Sequence, residues 1–75
     1  MQDFEITGTV WVSRDGHAAR ECHSVVAYSP LGIETWLYVD KETSELVLAE
    51  EIDGTWHDLD LEDARERFAD VLYCI

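Results

Sequence analysis

Ile33-Glu34-Thr35-Trp36-Leu37-Tyr38-Val39-Asp40-Lys41-Glu42-Thr43-Ser44-Glu45-Leu46-Val47-Leu48-Ala49 reads as two strands joined by a short polar loop. Ile33, Thr35, Leu37 and Val39 alternate with Glu34, Trp36 and Tyr38, and a period of two puts successive side chains on opposite faces of a sheet. Residues 40–44 have the composition of a hairpin loop, and Leu46 to Ala49 resume the strand.

The same pattern extends upstream. Phe4, Ile6, Val10 and Val12 alternate with Glu5, Thr7, Thr9 and Trp11, and Gly8 breaks the inward row as a bulge or a close backbone approach would. Ser13-Arg14-Asp15-Gly16 is a turn signal. Residues 17–21 suit a loop or a helical turn. A second strand over Cys22 to Tyr28 is expected to end at Ser29-Pro30-Leu31-Gly32. Downstream, Asp53-Gly54 reads as a two-residue hairpin turn into a short strand at Thr55-Trp56-His57.

The period then changes. Leu61, Ala64, Phe68, Val71, Leu72 and Ile75 recur at spacings of three and four, an apolar stripe along one side of a helix. Asp60 is a suitable N-cap, with Glu62 and Asp63 in the first turn at the positive end of the helix dipole. The expected fold is α+β: an antiparallel meander of four to five strands with one C-terminal helix packed on a face. Residues 1–75 are expected to form a single domain. Trp56 is expected in the core, where the last strand meets the helix.

The net charge of −12 is unevenly spread. Residues 1–33 hold four acids against two bases, whereas residues 34–75 hold thirteen acids against Lys41, Arg65 and Arg67. With 47% apolar residues the chain still has material for a core, so disorder is not expected despite that charge. Direct binding to nucleic acid or to anionic membranes is disfavoured, because both draw affinity from Lys and Arg. The N-terminus lacks the basic and apolar regions of a secretory signal. Cys22 and Cys74 are too few for a disulfide scaffold, and a cytoplasmic protein with reduced thiols is expected, a single Cys22–Cys74 bridge being the alternative.

Recognised chemistry is sparse. His17, Cys22, His23, His57 and Cys74 are possible zinc ligands, but they lack the paired spacing of zinc sites, and neighbours on a strand point to opposite faces. The acids around Asp58 and Asp60 do not supply the Gly and Glu of a calcium loop in order. No nucleophile–base–orienter set and no Gly-rich phosphate loop stands out. The expectation is a non-enzyme without cofactor or metal.

The acids therefore become the candidate site: Asp40, Glu42, Glu45, Glu50, Glu51, Asp53, Asp58, Asp60, Glu62, Asp63 and Glu66, with Trp36 and Tyr38 beside them as aromatic anchors of the kind that dominate interfaces. Three bases cannot neutralise thirteen acids, and Glu62–Glu66 and Glu66–Asp70 repel at helical spacing. Trp11 is expected to share the helix-free face with Trp36 and Tyr38. In size, charge and expected architecture the chain is similar to acidic nucleic-acid mimics, such as phage-encoded anti-CRISPR and anti-restriction proteins, and to nuclease immunity proteins. No family motif carries functional residues over. The expected partner is a protein with a basic nucleic-acid-binding groove. The alternative is a structural or regulatory accessory domain, forming a homodimer or a subunit of a larger complex.

Overall fold

The structure, a computed structural model, describes residues 3–14, 16–29 and 31–75. Five antiparallel strands run in meander order: β1 (Phe4–Val12), β2 (Arg20–Tyr28), β3 (Glu34–Asp40), β4 (Leu46–Ile52) and β5 (Trp56–Asp58). Two short helices complete the chain, α1 (Leu61–Arg67) and α2 (Ala69–Tyr73). The fold class is α+β. Asp15 and Pro30, inside the two expected turns, lie outside the described residues, as do Met1 and Gln2.

Directly paired residues on adjacent strands share a face, so the register defines both sides of the sheet. Val25, Leu37 and Ala49 pair in one row, and Ala27 and Thr35 in the next. They face the helices, and Ala64, Phe68 and Val71 join Val25, Ala27, Leu37, Val39, Leu46 and Ala49 in the core. Phe4, Leu59, Leu61, Leu72 and Ile75 pack around its margin. The apolar stripe of the C-terminal segment thus covers one side of the meander.

That segment is two helices rather than one. Phe68 leaves helical geometry at φ −117° and ψ 26°. Its N–H still donates to the Ala64 carbonyl at 3.0 Å, and Leu72 N–H donates to the Phe68 carbonyl at 2.9 Å. These bonds keep the stripe in phase across the break. Asp60 caps α1, its carboxylate accepting from Asp63 N–H at 3.3 Å.

Two irregularities re-aim side chains. Between Ile6 and Gly8 the β1–β2 register shifts by one residue, and the Thr7 hydroxyl donates to the Ser24 carbonyl at 3.0 Å. One inserted residue reverses the parity of the rest of the strand. Val10 therefore pairs with Cys22, and Trp11 with Glu21. The expected common row of Phe4, Ile6, Val10 and Val12 is split between faces. Trp11, 68% accessible, falls on the face of Thr9 and His23 instead of beside Trp36 and Tyr38. A second shift between Tyr38 and Val39 leaves Val47 as the extra residue of β4.

The last hairpin also departs from expectation. Ile52 pairs with Trp56, so the connection is a three-residue loop, with Gly54 at φ 107°. The additional residue places Trp56 on the face away from the helices, 58% accessible rather than in the core. No helix among the described residues is long and apolar enough to cross a membrane.

Candidate functional site

The face turned away from the helices carries a distinct pattern. One row crosses all five strands: Glu5, Val26, Trp36, Glu50 and Asp58, each directly paired with the next. A neighbouring row holds Tyr28, Glu34, Ile52 and Trp56, and the row on its other side holds Gly8, Ser24, Tyr38 and Leu48. Trp36, Tyr38 and Leu48 are half-buried, while Tyr28 and Trp56 are exposed. Val26 is only 2% accessible although no helix residue belongs to its face. Its paired neighbours on that face are Glu5 and the half-buried Trp36.

The electrostatics of this face are one-sided. Glu5, Glu34, Glu50 and Asp58 stand among these residues without a Lys or Arg in the three rows. Glu50 and Asp58 face each other directly, and like charges at paired positions oppose the pairing. Burial raises the Tyr38 phenol above its ordinary pKa, and the Glu50 charge raises it further. The indole N–H of Trp36 is buried and has no hydrogen-bond partner, a cost at the centre of the face that the fold leaves unmet.

Several expected site acids also make contacts within the fold. Asp40 is buried, accepting from Glu42 N–H at 2.7 Å and Thr43 N–H at 3.2 Å, which shapes the β3–β4 loop. Those bonds, that of Glu42 foremost, hold its carboxyl below the usual pKa against the effect of burial, and Arg20 at 3.5 Å adds to the lowering. Glu45 also contacts Arg20 at 3.5 Å. Arg67 lies 3.6 Å from both Glu51 and Asp63, tying α1 to β4. Asp53 contacts His57 Nε2 at 3.0 Å across the β4–β5 loop, and Asp60 is the cap. Glu42, Glu62 and Glu66 are exposed away from the Trp36 row.

Of the thirteen expected residues, the helix-free face unites Trp36, Tyr38, Glu50 and Asp58 in adjacent rows, with Asp40 at its far end opposite Cys22. Glu5, Tyr28, Ile52 and Trp56 belong with them and are absent from the expected set, and Glu34, one of the thirteen acids of residues 34–75, lies there too. Strand parity places Glu34 there, since it alternates with Thr35. Glu5 requires the long-range β1–β2 register. Both cysteines are free, Cys22 buried and Cys74 exposed, and burial pushes the Cys22 thiol above its ordinary pKa. Among the described residues no three of His, Cys, Asp and Glu gather as metal ligands. No protein-family model, curated protein or solved structure matches the chain.

Proposed function

We propose that the chain is a small acidic inhibitor that docks its helix-free sheet face on a basic, nucleic-acid-binding surface of another protein. The row Glu5–Val26–Trp36–Glu50–Asp58 carries this reading, since it puts an apolar and aromatic centre between carboxylates. Glu5 and Glu50 are three strands apart, about 14 Å at the usual spacing. That is the scale of the roughly 12 Å major groove that separates the phosphate lines of a duplex. Opposite charge would steer the encounter, and burial of Trp36, Trp56 and Tyr28 would supply the contact that discriminates one basic surface from another.

An accessory domain pairing through its aromatic face or through a sheet edge, one of which is β1, is the competing reading. The bulge at Thr7 and the charge of Glu5 both blunt that edge against strand addition. These features favour the face over the edge.

The test is capture from lysate on the immobilised protein at about 50 mM salt, then a salt gradient and competition with duplex DNA. The reading expects a nucleic-acid-binding protein that moderate salt or duplex DNA releases, and that Glu50→Lys with Asp58→Lys no longer captures. A partner held through high salt, indifferent to DNA and to both reversals, would replace it with the accessory-domain reading.

A further inference from the structure

The sheet has a second edge, β5, where the backbone is open. β5 pairs with β4 in the register Glu50–Asp58, Glu51–His57 and Ile52–Trp56. At the two ends of that ladder Leu59 N–H donates to the Ala49 carbonyl at 2.9 Å, and Asp53 N–H donates to the Thr55 carbonyl at 3.3 Å. Bonded positions alternate along an antiparallel pair, so Thr55, His57 and Leu59 turn their backbone groups toward β4. Trp56 and Asp58 turn theirs away from it. The edge thus offers the N–H and C=O of Trp56 and Asp58, on a strand whose three residues are all exposed. Both side chains belong to the helix-free face.

The surrounding charge selects what can pair there. Residues 42–64 hold nine acids and no Lys or Arg. Natural sheets guard their edges with charge, and like charges at opposed positions destabilise a strand pair. An acidic edge therefore refuses acidic strands, including a second copy of a chain with net charge −12, and favours a basic one. Asp53 is engaged with His57 and Asp60 with the helix cap, so neither is counted toward the site. Arg67 is engaged with Glu51 and Asp63. What remains is the like-charged pair Glu50–Asp58 and, two residues along the edge, the 58% accessible ring of Trp56.

We infer that β5 takes an extended, arginine-bearing segment of the partner as a sixth, antiparallel strand. One arginine lies opposite Asp58 and a second, two residues along, lies opposite Trp56. Strand addition of this kind draws affinity from main-chain bonds and specificity from alternate side chains. Trp56 and Asp58 each exchange both backbone bonds with the residue opposite. Arginine suits both places, because its guanidinium pairs with carboxylates and stacks on aromatic rings. The kind of partner rests on the inhibitor reading, since nucleic-acid-binding proteins carry basic arms. The place rests on the β5 edge alone.

The experiment is an ¹H–¹⁵N NMR titration of the full chain, at about 50 mM salt, with the end-capped peptide Val-Arg-Val-Arg-Val. Saturable shifts centred on residues 55–59 are expected, with a Kd of about 1 mM and slowed hydrogen exchange at the Trp56 and Asp58 amides. Methylating both arginine amide nitrogens keeps the charge but removes the donors to β5, and should weaken binding by about tenfold or more. Methylating the central valine nitrogen, which faces away from β5, should change little. Asp58→Asn should weaken binding about threefold, and a peptide with glutamate in place of arginine should not bind. Equal binding by the arginine-methylated peptide, or shifts centred on Trp36 and Tyr38 with the β5 amides unmoved, would overturn the edge. Loss on valine methylation alone would overturn the antiparallel register. If the peptide fails while the Glu50→Lys and Asp58→Lys reversals still abolish capture, the edge falls and the inhibitor reading stands. A peptide that binds β5 while capture ignores both reversals keeps the edge and removes the inhibitor reading.

Discussion

Replacing Trp36 by Phe is expected to leave the protein as stable as before or more so, although it deletes part of a half-buried ring. The indole N–H is buried without an acceptor, and a donor in that state costs about 1–3 kcal/mol. Phe places its ring where the pyrrole ring stood and loses the distal benzo edge of the indole, roughly 40 Å² of apolar surface at about 25 cal/mol per Å², or about 1 kcal/mol. The two terms leave a net between zero and about 2 kcal/mol in favour of Phe. Trp36→Ala removes the whole ring and is expected to destabilise by about 2–3 kcal/mol, below the full-burial range because the residue is half-buried. Urea denaturation monitored by far-UV circular dichroism measures both, with an unchanged slope confirming the same transition. A Phe variant more than about 1 kcal/mol less stable than the parent would refute the reasoning, since the N–H must then be satisfied.

The remaining expectations concern charge, capping and thiols. Glu50→Gln relieves the like-charge pair with Asp58 and should stabilise by about 0.2–1 kcal/mol at low salt, a gain that thermal melts should show fading in 1 M salt, where screening acts within about 3 Å. Asp60→Ala removes the cap on α1 and should cost about 1 kcal/mol by the same melts. The Asp40 carboxyl titrates below its unfolded value of about 3.9, so its contribution is present above that pH and is lost as pH falls through the lower folded value. Asp40→Asn should therefore flatten the decline in stability below about pH 4, and an unchanged acid limb would count against the loop bonds as its cause. At mildly alkaline pH a thiol reagent should modify exposed Cys74 in the native state and buried Cys22 only on unfolding.

Local periodicity is enough to read most of the architecture. Alternation through Ile33 to Val39 marks β3 and its core side, because Thr35, Leu37 and Val39 are all buried. The three-and-four spacing from Leu61 gives the helical stripe that packs on that side. Periodicity fails where one residue changes parity. Gly8 signals an irregularity, but which of its neighbours is the inserted one depends on pairing with β2, seventeen residues away at Ser24. Trp11 lies off its expected face for that reason. Trp56 does so because a three-residue loop replaces the expected two-residue turn. The break at Phe68 has no Gly or Pro to announce it, and the apolar pattern runs through it unchanged.

The site is harder to read because acidity in the sequence does not distinguish a carboxylate that builds the fold from one left for a partner. Asp40, Asp60 and Asp63 have roles within one loop or turn, and sequence spacing alone can point to the last two. Glu51 has a similar spacing to other strand acids but lies on the helix side, where Arg67 reaches it. Glu50, one residue earlier, points to the other face and meets Asp58. The alternation of β4 thus sends one carboxylate to a counter-ion and its neighbour to a place where the nearest paired charge is like its own. A chain under no demand beyond stability would gain from a neutral residue at position 50, since opposed like charges weaken strand pairing. Keeping Glu50 beside Asp58 and an unsatisfied indole in one row concentrates two unfavourable terms on the face proposed to meet a partner. Such local conflicts are most economically explained by a role that the folded monomer alone does not fulfil.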